Sequence, residues 1–357
     1  MYRRSLRERN DRDCGREKEK PLIQGVRMAA SRTDQTPQAN QAQRGNSAGS
    51  TAVIGGGSIG TALALVFAAA GRTVSIQDIE ATRRASVLPT LSERLKDLQH
   101  FGLTKEPMGA VLSRLTVVAE IETAVEGADY VQECAPENLD LKRELFARLD
   151  KLARPDAILA SASSTIPASR IADGLSGRSR CLVVHPGNPP FLIKVVEMVP
   201  APFTEAGVVA QTEALLLECG LTPVLVRREV EGFVFNRLQG ALLREAYCLV
   251  RDGIATVDDI DRIVRDGLGL RWSVIGPFES VDLNTRGGIA SHAEKMGPAY
   301  ARVGAERGQL DPWTPDLVAD VESQRRKRLP LDEWEERVAW RDREMMRLLA
   351  HRRADCS

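Results

Sequence analysis

The stretch "TAVIGGGSIGTALALVFAAAG", residues 51–71, decides how the whole chain reads. Thr51, Val53 and Ile54 make a short β-branched run of the kind that forms a buried strand. Gly55, Gly57 and Gly60 follow in the pattern GxGxxG, and an apolar helical run over 58–70 comes next. Glycine-rich turns are common, so the pattern alone says little. Between a strand and a helix, however, each glycine has its own reason. Gly55 makes the tight turn, Gly57 lets backbone approach a pyrophosphate, and Gly60 lets the helix pack on the sheet. The unpaired N–H groups at the helix N-terminus then favour phosphate charge.

The next strand candidate, "RTVSIQD", ends in Asp78, eighteen residues after Gly60. A carboxylate there accepts hydrogen bonds from ribose hydroxyls and repels a 2'-phosphate, so NAD is expected rather than NADP. Arg83 and Arg84 weigh the other way unless they belong to a solvated helix face.

Outward from this unit, "LTVVA", "ADYVQEC", "AILAS", "RCLVV", "KVVEMV" and "TPVLVR" alternate with helical segments. Such alternation predicts an α/β Rossmann-type domain over 51–228, a mostly parallel doubly wound sheet covered on both faces. Beyond it the strand signal stops, and 229–357 is expected to be an all-α C-terminal domain. "EGFVFNRLQGALLREAYCLVRDG" reads as a helix closed by Gly253, and Thr256 with Asp259 resembles a capping box. After Pro330, the residues Leu331, Trp334, Val338, Met345 and Leu348 recur at the spacing of an amphipathic helix. These apolar faces could also bury a subunit contact.

Residues 1–50 are rich in Arg, Gln, Asn, Ser and Gly and poor in large apolar groups, the composition of a disordered extension. Met28 is an alternative natural start. The chain of 357 residues balances 49 basic against 49 acidic groups, which gives no field to draw nucleic acid or a membrane surface. With 4% aromatic residues it offers few stacking platforms for bases. Its six cysteines show no zinc-like spacing and suit a reducing compartment. No apolar run reaches the roughly 18–20 residues of a membrane helix, so a cytoplasmic protein acting on a small molecule is expected.

"VVHPGNPPFLIKVVEMVP", residues 183–200, carries the chemistry. A carboxylate at Glu197, among valines, is costly to bury unless something partners it. His185, at a strand end twelve residues earlier, is the available partner. Imidazole titrates near working pH and can take a hydroxyl proton as hydride leaves, while a carboxylate on its far nitrogen fixes the tautomer and stabilises the imidazolium. A lone His is more often a satisfied core residue. Of His100, His185, His292 and His351, only His185 combines a strand end, a Pro-rich turn and a following in-strand acid.

This segment resembles the signature of the 3-hydroxyacyl-CoA dehydrogenase family, and further motifs of that family follow the same order over about residues 51–300. "GGGSIG", with Ser58 and Ile59 beside the glycines, resembles its cofactor loop. "QECAPENLDLKRELFARLD" resembles its segment beside the nicotinamide ribose, "ASASSTIPASRIA" its substrate-hydroxyl serine segment, and "GFVFNRL" the start of its helical domain. The resemblance implies that His185 is the general base and Glu197 its partner. It places Ser164, Asn188 and Asn236 in the substrate pocket, and Glu137, Asn138 and Lys142 near the cofactor ribose. From the residues alone, Ser164 and Asn236 could equally be helix caps. The resemblance also implies a homodimer formed through the helical domain. Ala162 departs from the pattern, since the fatty-acid enzymes usually carry Asn there.

"GLGLRWSVIGPFESVDLNT" is a second departure, longer than the corresponding turn of those enzymes. Together with "HPGNPP" and "EWEERVAWRDREMMRLLA" it is similar to the lambda-crystallin branch, which includes L-gulonate 3-dehydrogenase. Expected is oxidation of the 3-hydroxyl of a small free 3-hydroxy acid with NAD. The alternatives are the same chemistry on a short 3-hydroxyacyl-CoA, or a crystallin-like structural role. A free carboxylate favours a bidentate cation, for which Arg271 is the candidate, the other reading being an interdomain ion pair. If Arg271 clamps the substrate, Arg271→Met raises KM far more for an acid than for its uncharged analogue; equal changes in steady-state KM for both would dismiss the clamp.

Overall fold

The computed structural model describes residues 49–286, 288–307 and 330–354, with scattered positions from 315 to 327. Of the expected extension only Gly49 and Ser50 are among them; the rest of 1–50 lies outside the described residues.

Eight strands form one sheet: β1 (Ser50–Ile54), β2 (Thr73–Gln77), β3 (Leu115–Val118), β4 (Tyr130–Glu133), β5 (Ile158–Ser161), β6 (Cys181–Pro186), β7 (Val195–Pro200) and β8 (Thr222–Leu225). Their spatial order is β3-β2-β1-β4-β5-β6-β7-β8. The first six are parallel, in the doubly wound order of dinucleotide-binding folds. β7 then runs antiparallel to β6, and β8 parallel to β7. The sheet is mostly parallel, as the strand and helix alternation predicts.

One face of the sheet is covered by α1 (Ser58–Ala69), α2 (Ala81–His100) and α7 (Ala206–Glu218). In α2 the buried residues Val87, Leu91, Leu95 and Leu98 recur at helical spacing, which is why that polar segment packs by a single stripe. The short α3 (Met108–Leu112) joins this same layer through Val111, and the other face is covered by α4 (Ile121–Val125), α5 (Leu139–Leu152) and α6 (Ala168–Ile171). Both layers exclude water from strands that carry apolar side chains on two sides.

The remaining described elements are helical: α8 (Phe235–Arg251), α9 (Val257–Ile263), α10 (Gly269–Trp272), α11 (Pro277–Asn284), α12 (Gly288–Glu306) and α13 (Trp334–Ala354). Gly253, at φ +66°, follows the end of α8, as expected of a helix stop. The Thr256 hydroxyl accepts from the Asp259 N–H at 3.2 Å and donates to its carboxylate at 2.7 Å, closing the expected cap of α9. Helix α8 begins four residues later than the sequence pattern suggests, because Gly232 and Phe233 both adopt left-handed φ and make a turn first.

Helix α13 packs back on the first domain. Met346 is buried against the α1 and α2 core, with Met345 and Leu349 beside it, and Arg343 pairs with Asp97 at 3.4 Å. Leu348, expected on the apolar stripe, is instead half exposed, since the helix meets α2 along the neighbouring row. The side chains of Leu331, Trp334 and Val338 lie outside the described residues.

Gly60 fixes how closely α1 approaches the strand that precedes it, for a Cβ there would lie 1.9 Å from the Gly55 carbonyl oxygen. Gly60→Ala is expected to lower stability by about 1–3 kcal/mol and to weaken NADH binding, since backbone must shift. Thermal unfolding and a fluorescence titration with NADH check this, and wild-type values in both would show that the contact is not tight.

Candidate active site

Antiparallel pairing of β6 and β7 sets His185 directly opposite Glu197. Directly paired residues share a face of the sheet, and here His185 Nδ1 and Glu197 Oε2 are 2.8 Å apart, both side chains buried. With the carboxylate ionised, Nδ1 carries the hydrogen and donates it, so Nε2 keeps a lone pair. The other oxygen, Oε1, accepts from Val234 N at 2.8 Å and Phe235 N at 3.0 Å, the opening amides of α8. Burial pushes the Glu197 carboxyl up, but the His185 hydrogen bond and the Phe235 and Val234 N–H groups outweigh it and hold it below its ordinary value. The Phe233 ring is buried 5.7 Å from the imidazole.

His185 opens on a cavity of about 470 Å³ whose wall includes Ser164, Asn188 and Asn236. Asn236 Nδ2 donates to the Ser164 carbonyl at 3.1 Å, which ties α8 to the loop after β5. Neither residue is a helix cap: α6 starts after Pro167 and α8 after Val234. Ala162 and Ile59 also line the cavity. Gln239 lines it too, and sequence reasoning passed over it; its position three residues after Asn236 on a helix was the available signal. Arg271 is exposed on α10 and is not part of this wall.

Above the carboxyl ends of β1 and β2 the residues fit a dinucleotide. A Cβ on Gly57 would meet nothing within 4 Å, leaving open space over the amides at the start of α1, whereas Gly55, at φ +109°, and Gly60 are hemmed in by backbone. The Asp78 carboxylate is buried at the end of β2, accepting from Gly56 N and Glu80 N at 2.8 Å each, and keeps lone pairs for a ribose. Arg84 donates to the Asp78 and Ile79 carbonyls and Arg83 pairs with Glu80, so both arginines are occupied by protein. Ser58 begins α1, and the next residue, Ile59, already belongs to the cavity of His185.

Between these two ends lies a buried charge network. Lys142 is 1% and Glu133 0% exposed; the ammonium meets Glu133 Oε1 and Oε2 at 2.8 and 3.0 Å and the Ala135 carbonyl at 3.2 Å. Ser161 Oγ donates to the same Glu133 at 2.5 Å. Glu137, 3.7 Å from the ammonium, accepts from Ser163 Oγ, Ser164 N and both donors of Thr165. Burial raises the Glu137 carboxyl, yet the Ser163 and Thr165 hydrogen bonds leave it below its usual value. Asn138 caps α5 by accepting from Leu141 N at 2.9 Å. Lys142 therefore holds Glu137, and Glu137 holds the loop that carries Ser164. Glu133 was not picked out from sequence, although an acid at the end of an apolar strand is the same signal that marks Glu197.

Comparison with known proteins shows the family. Residues 50–230 match the 3-hydroxyacyl-CoA dehydrogenase NAD binding domain and residues 232–328 the C-terminal domain of the same family. A lambda-crystallin homolog of Bos taurus is 41% identical over 86% of this chain and 97% of its own length. L-carnitine dehydrogenase of Streptomyces coelicolor is 38% identical over 74% of this chain and 79% of its own. Among solved structures, the NAD+-dependent 5-formyl-3-hydroxy-2-methylpyridine 4-carboxylic acid 5-dehydrogenase superposes with a TM-score of 0.73 at 27% identity, covering 84% of this chain and 96% of that one. The chain belongs to the 3-hydroxyacyl-CoA dehydrogenase family, as an NAD-dependent dehydrogenase acting on a CH–OH group.

Proposed function

We propose that the protein oxidises the 3-hydroxyl of a small free 3-hydroxy acid, such as L-gulonate, to the 3-keto acid. The observation that carries this reading is the 2.8 Å contact between His185 and Glu197 at the wall of a cavity rich in neutral polar groups. His185 Nε2 takes the hydroxyl proton, and the imidazolium so formed is stabilised by Glu197, itself held ionised by the α8 amides. NAD supplies the acceptor for the hydride. The start of α1, Asp78 and the loop set by Glu137 would hold it, and Ser164, Asn188 and Asn236 would orient the substrate.

Relatives named lambda-crystallin homolog and L-carnitine dehydrogenase favour a free acid. A relative named 3-hydroxyacyl-CoA dehydrogenase, 34% identical, keeps the CoA ester as the second reading. An intact acid and base pair argues against a purely structural role. Arg271 would serve as carboxylate clamp only if brought to a cavity, since on its own chain it lies outside the wall.

We also infer a homodimer that covers the helical domain. Val274 and Phe278 are each 81% exposed, and Leu270 and Leu283 are exposed beside them in sequence, apolar side chains that a second copy would cover. Cys134, Cys181 and Cys219 are free thiols among the described residues, which suits a cytoplasmic location. Among the described residues no helix is long and apolar enough to cross a membrane.

NADH formation with L-gulonate, L-carnitine, 3-hydroxybutyrate and 3-hydroxybutyryl-CoA, compared by kcat/KM, tests the substrate reading; a clear preference for the CoA ester would replace it. His185→Ala is expected to lower turnover by about 10²- to 10⁴-fold with NADH affinity nearly intact. Normal turnover would remove His185 from the mechanism. Sedimentation equilibrium is expected to return twice the chain mass, and a monomer at micromolar concentration would refute the dimer.

A further inference from the structure

We infer that Gln239 sets the substrate class of this site by hydrogen-bonding a hydroxyl other than the one that is oxidised, so that the pocket selects a polyhydroxylated acid over an alkyl one. This rests on the proposed free-acid reading and adds to it a residue that belongs to none of the motifs that resemble the family.

Helix α8 begins at Phe235, so Asn236 and Gln239, three residues apart, lie on one face of it. Both line the cavity of His185. Asn236 is committed on one side, its Nδ2 donating to the Ser164 carbonyl. Among the described residues the carboxamides of Gln239 and Asn188 hydrogen-bond to no protein group. They are therefore open to a ligand.

His185 is the single ionisable side chain in the cavity wall among the described residues. Around it stand Ser164, Asn188, Asn236 and Gln239, each able to donate and to accept. A hydroxyl does both as well. A chain of hydroxyl-bearing carbons matches such a wall at several points, while Ile193 and Phe235 offer apolar contact to its C–H edges. An alkyl chain in the same place would strip water from Gln239 and return nothing for it. Asn236 is one helical turn nearer the start of α8, next in sequence to the amides that hold Glu197, and Gln239 extends the row along the helix.

The test compares kcat/KM for L-gulonate and for 3-hydroxybutyrate at saturating NAD, in the wild type and in Gln239→Leu. Gln239 is exposed in the free chain, so the change should leave folding intact, and thermal unfolding with NADH titration verifies that. The expected result is a fall of about 3- to 10-fold in the ratio of the two constants, gulonate over hydroxybutyrate, the span of one neutral hydrogen bond. An unchanged ratio, whether both constants hold or both fall together, would overturn the inference while leaving the free-acid reading in place. A wild type that turns over the CoA ester and neither free acid would overturn both.

Discussion

The carboxylate of Glu197 is gripped from two sides, by His185 from the neighbouring strand and by the amides of Val234 and Phe235 from the first turn of α8. Each contact places a demand on the fold. The first needs β7 to run antiparallel to β6 in one register; the second needs the chain to turn sharply after β8 so that a helix starts with its N–H groups aimed at the sheet. Phe233 takes a left-handed φ of +50° to achieve that turn, a conformation unfavourable for a bulky residue and held here by its buried ring. The helical domain thus joins the Rossmann domain at the acid and base pair itself, which makes the position of α8, and with it Asn236 and Gln239, part of the same constraint.

Two buried carboxylates at the sheet's edge show how surroundings divide their roles. Glu133, with no exposure, faces an ammonium and two further donors, so its charge is neutralised in place and it has nothing to offer a substrate. Glu197 faces an imidazole and two amides, so its partner can change protonation state. A buried carboxylate ringed by an ammonium, an amide and a hydroxyl suits the fixing of loops, whereas one paired with an imidazole suits proton transfer. Removing Glu133 would leave the Lys142 ammonium with the Ala135 carbonyl and Glu137, whereas removing Glu197 would take the carboxylate from the imidazole that faces the cavity.

Much of this was legible in the sequence because the signals were local. Strand, glycine turn, helix and a distal acid fall within residues 51–78, and the structure places Gly55, Gly57, Gly60 and Asp78 in the expected positions. His185 and Glu197 are twelve residues apart, and the chemical oddity of an acid among valines brings them together without coordinates. What escaped was set by tertiary contact. The late start of α8 depends on Phe233 in a conformation that its side chain does not announce, and the buried row of α13 is chosen by α2 rather than by periodicity. Lys142 is a further case: a lysine on an amphipathic helix gives no sign that its ammonium lies inside, over Glu133.

Register explains why a mixed sheet was retained at this point. Side chains alternate between the faces of a strand, so sliding β7 by one residue against β6 would send Glu197 to the opposite face and bring Val196 or Met198 beside the imidazole. The segment from Gly187 to Lys194 prevents that slide. Gly187 N donates to the Val195 carbonyl at 3.0 Å as the first rung beyond the strand pair, and a Cβ on Gly187 would meet Ile193 at 2.4 Å. Leu192 and Ile193 amides donate to the Pro189 carbonyl, and Phe191 and Leu192 are buried in the α1 and α2 core. The loop that carries Asn188 to the cavity of His185 is therefore the same element that locks the strand pairing. A change there would alter the cavity wall and the pairing of His185 with Glu197 together, so under the proposed function substrate choice and proton transfer depend on one loop.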